Sequence, residues 1–309
     1  MNEEDSDLEK EFRELLEAET FVDLDKLRDL SRHGIPEALR GEVWKYLLSV
    51  ASPDKSEEVT KLKRLRKSYD AVNKKVIVRI KREIYATYFD QKTMKTRAFA
   101  GLPEKQLLFE QVLMAYFYYH DVPYDQGFIF VLAPFVRSIV KNLRVVDLEH
   151  DIYYSFQALM SKLHPLFLIS PELNYEGELI TSIVRSLTLV IVAKLQMLFR
   201  HTQPDLHAYF EREEIEPNEW ALNWIRYLLS AELPLNCVSR LWDTYFASND
   251  LDLHPYVCLS VLQHHHETLM ELEYSEICFY LSNLPEMNMD HIIKQAHNIR
   301  ALVKARDWL

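Results

Sequence analysis

The stretch HGIPEALRGEVWKYLL, residues 33–48, carries the clearest secondary-structure signal in the 309-residue sequence. Apolar side chains recur along it at the three- and four-residue spacing of one helix face: Leu39, Val43, Trp44, Leu47 and Leu48. Pro36 suits the first turn of such a helix, because proline has a fixed φ and lacks an N–H that a helix start leaves unpaired. The stretch predicts an amphipathic helix and favours an all-α fold.

The same helical spacing continues along the chain, and prolines separate the segments. A short leading helix is expected before residue 25, and a solvated helix face or linker at residues 61–75. Further helices are predicted at about 107–120, from near 128, and at 147–162, 177–200, 219–231, 234–247, 253–272, 274–283 and 289–306. The five glycines are too few for a turn-rich β fold and too scattered for a P-loop or Rossmann phosphate cradle.

Charge and composition exclude several classes of protein. The net charge of −11 disfavours nucleic acid and an anionic membrane as main partners. The most apolar run, Leu187–Phe199, is too short to span a bilayer.

Three cysteines without paired spacing are expected to be buried free thiols: Cys237, Cys258 and Cys278. These features predict a soluble cytoplasmic protein, with no cofactor. No metal is predicted at His264–His266, because consecutive helical side chains diverge.

A second informative stretch is Tyr124-Asp125-Gln126-Gly127-Phe128. Pro123 is expected to end the helix that precedes it, since proline restricts the residue before it and cannot continue a helix. Another apolar helix begins near Phe128. The stretch therefore places the side-chain amide of Gln126 on a turn between two helices, where it can be offered to a partner.

Four separated groups of residues occur in a fixed order, and together they resemble the TBC domain of GTPase-activating proteins for Rab-type small GTPases. The groups are Gly34-Ile35-Pro36 with Leu39-Arg40 and Val43-Trp44; Tyr124-x-Gln126-Gly127; Trp224 ahead of Glu232-Leu233-Pro234; and Arg240-Leu241-Trp242-Asp243. The resemblance covers about residues 33–284, which is most of the chain. Each group alone is weak, but their order and spacing are typical of the family.

The resemblance implies an all-α, V-shaped, two-lobed domain over residues 29–285. It would follow an acidic, partly disordered segment (1–28) and precede a C-terminal helix packed on the domain (286–309). The lobe division is expected near residue 170, giving lobes of about 29–170 and 171–285, with Trp224 and Trp242 in the second. The implied partner is a Rab-type GTPase in its GTP-bound state, as in vesicle trafficking. Membrane association would be indirect, through recruitment to endomembranes by that GTPase, and a partner subunit is also conceivable.

Family members supply an arginine and a glutamine to the GTPase active site, from an Ile-x-x-Asp-x-x-Arg motif and the Tyr-x-Gln-Gly motif. Gln126 matches the glutamine. In the other motif, aligned from Ile80, Glu83 replaces the aspartate and Ala86 stands at the arginine position. The motif residues expected at the GTPase-binding face are Glu83, Ala86, Thr87, Tyr124, Gly127 and Arg40. Because alanine cannot neutralise phosphoryl charge, the sequence predicts weak activation of GTP hydrolysis.

Three alternatives stay open from the sequence. Arg82, one helical turn from Ala86, is a candidate substitute arginine, and Arg79 and Arg97 are weaker ones. The chain could instead be a catalytically inactive GTPase-binding or scaffolding module, or a purely structural helical protein. The remaining motif residues are expected to hold the fold: the tryptophans as core, and Arg40 and Arg240 in ion pairs, with Arg240 and Asp243 three residues apart on one helix.

Overall fold

The computed structural model describes residues 3–71, 81, 82, 84, 86, 103–120, 122, 125–139, 148–167, 170–173, 179–185 and 187–308. The chain forms two compact units. Unit 1 comprises Met1–Ser161 and Val238–Asn249, and unit 2 comprises Lys162–Cys237 and Asp250–Leu309. The chain therefore leaves unit 1, builds part of unit 2, and returns to unit 1 before it completes unit 2.

Helices account for nearly all of the described secondary structure, which confirms the all-α prediction. In chain order the elements are α1 (Glu3–Leu16), α2 (Leu24–Ser31), α3 (Arg40–Leu47), α4 (Lys55–Asp70), α5 (Pro103–Tyr119), α6 (Gly127–Ile139), α7 (Glu149–Phe167), β1 (Ser170–Leu173), β2 (Leu179–Arg185), α8 (Leu187–Thr202), α9 (Pro204–Arg212), α10 (Pro217–Arg226), α11 (Leu235–Ser248), a 3₁₀ turn (Leu251–Leu253), α12 (His254–His264), α13 (His266–Leu269), α14 (Tyr274–Ser282) and α15 (Met289–Ala305).

The core of unit 1 is centred on Trp44 of α3, which is fully buried. Its ring meets Phe135 of α6 edge-on, with centroids 5.4 Å apart, and Phe246 of α11 at 5.1 Å. α3 and α6 approach closely because Gly41 faces α6 without a side chain. A Cβ at this position would stand 2.6 Å from the carbonyl oxygen of Ser138. The apolar stripe predicted over residues 33–48 therefore packs α3 against α6, the helix that begins directly after Gln126.

The core of unit 2 contains Trp224 of α10, also fully buried. Its indole N–H donates to the carbonyl of Leu281 at 3.1 Å, which ties α10 to α14. The carbonyl of Trp224 in turn lies 2.7 Å from Nε2 of His254, at the start of α12. A carbonyl can only accept, so Nε2 carries the proton. Complete burial lowers the pKa of His254 to about 4, so that the ring is neutral at physiological pH.

The prediction of one helix over 177–200 is wrong in its first part. Residues 179–185 form β2, which pairs antiparallel with β1, and the helix begins only at Leu187. The segment LITSIVR is rich in β-branched residues, which lose side-chain freedom in a helix and favour an extended backbone.

Three other predicted helices have different ends in the structure. α10 stops at Arg226 and not at residue 231, because Leu228 and Leu229 adopt left-handed φ values of 51° and 61°. The helix predicted over 253–272 is interrupted at His265 and continues as the short α13. α7 continues through Pro165 to Phe167, although the sequence analysis treats that proline as a boundary.

Two placements also differ from expectation. Trp242 belongs to unit 1 and not to the lobe of Trp224, because it packs beside Trp44 at 6.2 Å. Cys237 and Cys258 are buried free thiols as predicted, whereas Cys278 is half-buried on α14, with its sulfur 3.9 Å from a carboxylate oxygen of Glu219.

The core role predicted for the four tryptophans is confirmed: Trp44, Trp220, Trp224 and Trp242 are all buried.

Candidate functional site

Gln126 lies on the turn that leads into α6, and it is exposed to solvent. The turn is fixed by its neighbours: the carboxylate of Asp125 accepts the N–H of Gly127 at 2.8 Å, and the Gln126 carbonyl accepts the N–H of Ile129 at 3.0 Å. Gly127 and Phe128 are buried in the first turn of α6. The exposed amide is therefore carried by a helix start that is anchored in the core of unit 1.

Ala86 and Arg82 are both exposed, and both belong to a helical stretch. Ile84 between them is fully buried. Lys81 forms an ion pair with Glu110 of α5, with 2.8 Å between Nζ and Oε2, and the side chain of Glu110 is 6% exposed. The stretch is thus fastened to unit 1 by one apolar and one charged contact, and Ala86 faces solvent.

The other predicted site residues separate into three groups. Glu83, Thr87 and Tyr124 lie outside the described residues, as do the alternative arginines Arg79 and Arg97. Gly127 is buried, and its backbone N–H is used in the turn described above. Arg40 pairs with Asp243 of α11, and its side chain is 13% exposed.

The carboxylate of Asp243 is completely buried and receives N–H groups from three residues. Arg40 Nε donates to Oδ1 at 3.1 Å, Trp44 Nε1 donates to the same oxygen at 2.8 Å, and the backbone N–H of Ile35 donates to Oδ2 at 3.0 Å. Burial raises the pKa of Asp243, and the Arg40 guanidinium and the other two donors oppose that rise. This Asp243 network joins two of the recognised motif groups, which are about 200 residues apart in sequence.

Arg240 has different partners from those predicted. The sequence suggested a pair with Asp243 on the same helix, but Arg240 donates to Thr244 Oγ1 at 2.9 Å and to the carbonyl of Arg32 at 3.0 Å. Its side chain also covers Gly34, whose φ of 106° and lack of Cβ allow the close approach. The pairing with Asp243 is therefore wrong, because Arg40, and not Arg240, reaches that carboxylate across the core.

The histidine run offers no convergent donors. His264 is exposed, whereas His265 is buried, with Nδ1 2.9 Å from the hydroxyl of Tyr280, and burial lowers its pKa to about 4. Within the described part of the chain, no group of three or more His, Cys, Asp or Glu side chains is arranged to hold a metal ion. The described helices also include none whose length and apolar content would allow it to cross a bilayer.

Residues 37–270 match the Rab-GTPase-TBC domain family. The chain belongs to this family.

Among curated proteins the chain is similar to TBC1 domain family member 22B of Homo sapiens, with 29% identity over 305 residues that cover 91% of this chain and 58% of the relative. It is also similar to GTPase-activating protein gyp1 of Schizosaccharomyces pombe, with 25% identity, covering 89% of this chain and 56% of that protein. The chain therefore spans little more than half the length of these relatives.

The fold is shared with the crystal structure of the Ypt/Rab-GAP domain of Gyp1p, at a TM-score of 0.73 and 19% identity, over 98% of this chain and 99% of that one. The structure of a Chlamydomonas flagellar RabGAP TBC domain also matches, at a TM-score of 0.60 and 18% identity, over 88% and 84% of the two chains. These likenesses show the architecture alone.

Proposed function

We propose that this chain is a TBC-type regulator that docks on the GTP-bound form of a Rab-family GTPase and presents Gln126 to its nucleotide. The observation that supports this most directly is the exposed amide of Gln126 on an anchored helix start, in a chain of this family. In GTP hydrolysis the attacking water must lie in line with the γ-phosphoryl group, and a side-chain amide can hold it there. A rigid support favours that role, because misplacement by about 1 Å can cost on the order of 100-fold in rate.

The expected activation is weak because Ala86 occupies the position aligned with the arginine finger. An arginine that neutralises charge in the transition state is worth roughly 10³–10⁵ in rate. Ala86 is exposed, so the position faces solvent and is open to a partner, but it carries no charge. In this proposal Gln126 contributes water positioning alone, and the chain retains docking with a small part of the family's catalytic effect.

A second candidate function is that of a catalytically inactive GTPase-binding or scaffolding module. The exposed Ala86 favours it specifically, since the same surface can hold a GTPase without accelerating its chemistry. In either case, we propose that endomembrane association follows from the bound GTPase or from a partner subunit.

The test is single-turnover GTP hydrolysis by a panel of Rab-type GTPases with the parent chain, Gln126→Ala and Ala86→Arg. Gln263→Ala, an exposed glutamine of α12 in unit 2, is the matched control. We expect weak acceleration by the parent, its loss in Gln126→Ala, no change in the control, and a gain of about 10²-fold or more in Ala86→Arg. A silent parent that binds GTP-loaded Rab and gains activity in Ala86→Arg identifies the scaffolding alternative.

Strong activation by the parent would contradict the assignment of Ala86 and point to a substitute arginine. Arg82 is the first to test, because it shares an exposed helical face with Ala86. Arg82→Ala should then remove the activity, while Arg64→Ala, at an exposed position of α4, should leave it unchanged. Equal affinity for the GTP-bound and GDP-bound GTPase, with no effect of any variant, would contradict both candidate functions.

A further inference from the structure

Side-chain hydrogen bonds hold α4 against α7 in unit 1. Tyr69 of α4 donates its hydroxyl to the carboxylate of Glu149, and burial raises the pKa of Tyr69, so that this donor keeps its proton at physiological pH. Arg66 of α4 donates from Nε to Nε2 of His150 at 2.6 Å. The second contact differs from the first because its acceptor can gain a proton. Histidine is the side chain whose charge changes most readily between pH 5 and pH 8.

The contact with Arg66 determines where the ring of His150 carries its proton. A guanidinium group keeps its charge and can only donate, so Nε2 of His150 is the acceptor. A neutral imidazole has one N–H group and one acceptor nitrogen. The proton of the neutral His150 ring is therefore on Nδ1.

A buried carboxylate lies close to the same ring nitrogen. Oδ1 of Asp151 is 3.0 Å from Nε2 of His150, and the side chain of Asp151 is 6% exposed. Oδ1 has no hydrogen-bond donor among the described residues, whereas Oδ2 accepts from Lys45 Nζ at 3.2 Å. Burial acts to raise the pKa of Asp151, but His150 and the Lys45 ammonium group outweigh it and hold that pKa below its usual value. Asp151 is therefore a charged acceptor with one oxygen available to His150.

Nε2 of His150 cannot serve both neighbours at once. It accepts from Arg66 only while it lacks a proton, and it can donate to Asp151 only after it has gained one. A protonated ring would also place its positive charge 2.6 Å from the Arg66 guanidinium. Arg66 is exposed and can move into solvent, whereas Asp151 is buried and paired with Lys45. Protonation therefore favours the exchange of Arg66 for Asp151.

The other charged and titratable groups near His150 already have partners. They are Glu42 and Lys45 on α3, Tyr69 on α4 and Glu149 on α7. Lys45 pairs with Glu42 at 2.8 Å as well as with Asp151, and Tyr69 pairs with Glu149. Burial acts to lower the pKa of Lys45, but its two carboxylate partners raise it above its usual value. Lys45 therefore keeps its charge while His150 gains or loses a proton.

We infer that His150 is a protonation-dependent latch between α4 and α7. With a neutral ring, Nε2 accepts from Arg66 and the latch is closed. With a protonated ring, Nε2 donates to Asp151, Arg66 is released, and α4 relies on its other contacts, such as that of Tyr69. A fall from about pH 8 to about pH 6 therefore loosens α4. All of these residues belong to unit 1, and the inference does not depend on the GTPase proposal.

Proton–nitrogen correlation spectra of the histidine rings test the closed latch directly, because they distinguish protonated from unprotonated ring nitrogens. At about pH 8 we expect His150 to carry its proton on Nδ1, and at about pH 6 we expect a larger fraction of rings with both nitrogens protonated. The variant His150→Gln assigns the signals by removing them. A neutral ring with its proton on Nε2 would overturn the inference, because Arg66 could not donate to it.

Hydrogen exchange measured by mass spectrometry follows α4 itself. After correction for the intrinsic pH dependence of exchange, the protection of Lys55–Asp70 should fall by about 3- to 10-fold between about pH 8 and about pH 6, as expected for the loss of one hydrogen bond. In His150→Gln the amide oxygen can still accept from Arg66 but does not titrate, so the protection should stay constant. Arg66→Ala should give low protection at both pH values, while Arg64→Ala, at another exposed arginine of α4, should behave like the parent.

Three exchange results would also overturn the inference. One is equal protection of α4 in the parent at the two pH values. Another is a fall of the same size in His150→Gln, which would assign the change to a different group; the histidines of unit 2 are present in both chains and cancel in this comparison. The third is an Arg66→Ala variant with the protection and pH dependence of the parent. If His150→Gln does not fold, the position of the ring proton in the parent and the result for Arg66→Ala still test the latch.

Discussion

The Asp243 network and the Gln126 turn derive from the same set of sequence motifs, yet their surroundings are opposite. The carboxylate of Asp243 is completely enclosed and receives N–H groups from Ile35, Arg40 and Trp44. Gln126 is exposed on a turn fixed by backbone hydrogen bonds and by Asp125. The motif groups therefore include both a buried contact that holds the fold and an exposed side chain, which the proposed function assigns to the GTPase.

The sharpest test of this contrast is Asp243→Ala. It leaves the N–H groups of Trp44 and Ile35 without their acceptor and removes the buried counter-charge of Arg40, whose Nη2 keeps only the carbonyl of Ile35 at 2.7 Å, so we expect a loss of about 3–5 kcal/mol in the free energy of unfolding. Urea denaturation followed by circular dichroism measures it. The matched control is Asp29→Ala, at an exposed position of α2, which should change stability by less than about 0.5 kcal/mol. Similar values for the two variants would remove the distinction.

Gly41→Ala tests the contact between α3 and the helix that carries Gln126. The added methyl group would meet backbone atoms of Ser138 and Ile139 within 3.0 Å, and backbone cannot move aside as a flexible side chain can. We expect a loss of about 1–3 kcal/mol in unfolding free energy, measured by the same denaturation. If Gly41→Ala is as stable as the parent, α6 is not rigidly anchored and the support for Gln126 is weaker than described.

The pH dependence of stability extends the contrast to unit 2. The folded pKa of His254, about 4, lies below the unfolded value of about 6.5, so protonation favours the unfolded chain. The stability contribution is complete above pH 6.5 and is lost as the pH falls towards 4, with a loss of about 2 kcal/mol at pH 5. Unfolding curves at pH 7 and pH 5 measure it. His254→Gln should reduce this dependence and leave the part that comes from His265, whose pKa is also lowered to about 4, whereas the exposed His264→Gln should not reduce it.

The smallest stability effect is expected for Gln126→Ala. Its side chain is exposed, so we expect a change within about 0.5 kcal/mol and a near-native circular dichroism spectrum. A loss above about 1 kcal/mol in thermal or urea unfolding would show that Gln126 holds the turn, and any loss of activity in the hydrolysis assay would then have a structural cause.

The elements that were predictable from the sequence are those that a local pattern determines. The spacing of Leu39, Val43 and Trp44 predicted α3, and Pro123 before Gln126 predicted a turn between two helices; the structure has both. The pairing of Arg40 with Asp243 was not predictable, because it depends on a contact between α3 and α11 that no local spacing encodes. The sequence instead suggested Arg240, the nearest basic residue on the same helix.

The β1–β2 pair was not predicted from the sequence. The segment LITSIVR was predicted to be part of a helix, although its β-branched residues favour a strand. Whether such a segment forms a helix or a strand depends on tertiary contacts that its local sequence does not contain.

The route of the chain through the two units has a consequence for biosynthesis. Unit 1 needs Trp242, Asp243 and Phe246, which follow Ser161 by more than 80 residues. A ribosome adding roughly 5–20 residues per second takes several seconds to supply them. During that interval the emerging first segment holds Arg40 and Trp44 without the carboxylate of Asp243, so the N-terminal portion cannot complete its core before much of unit 2 has been translated.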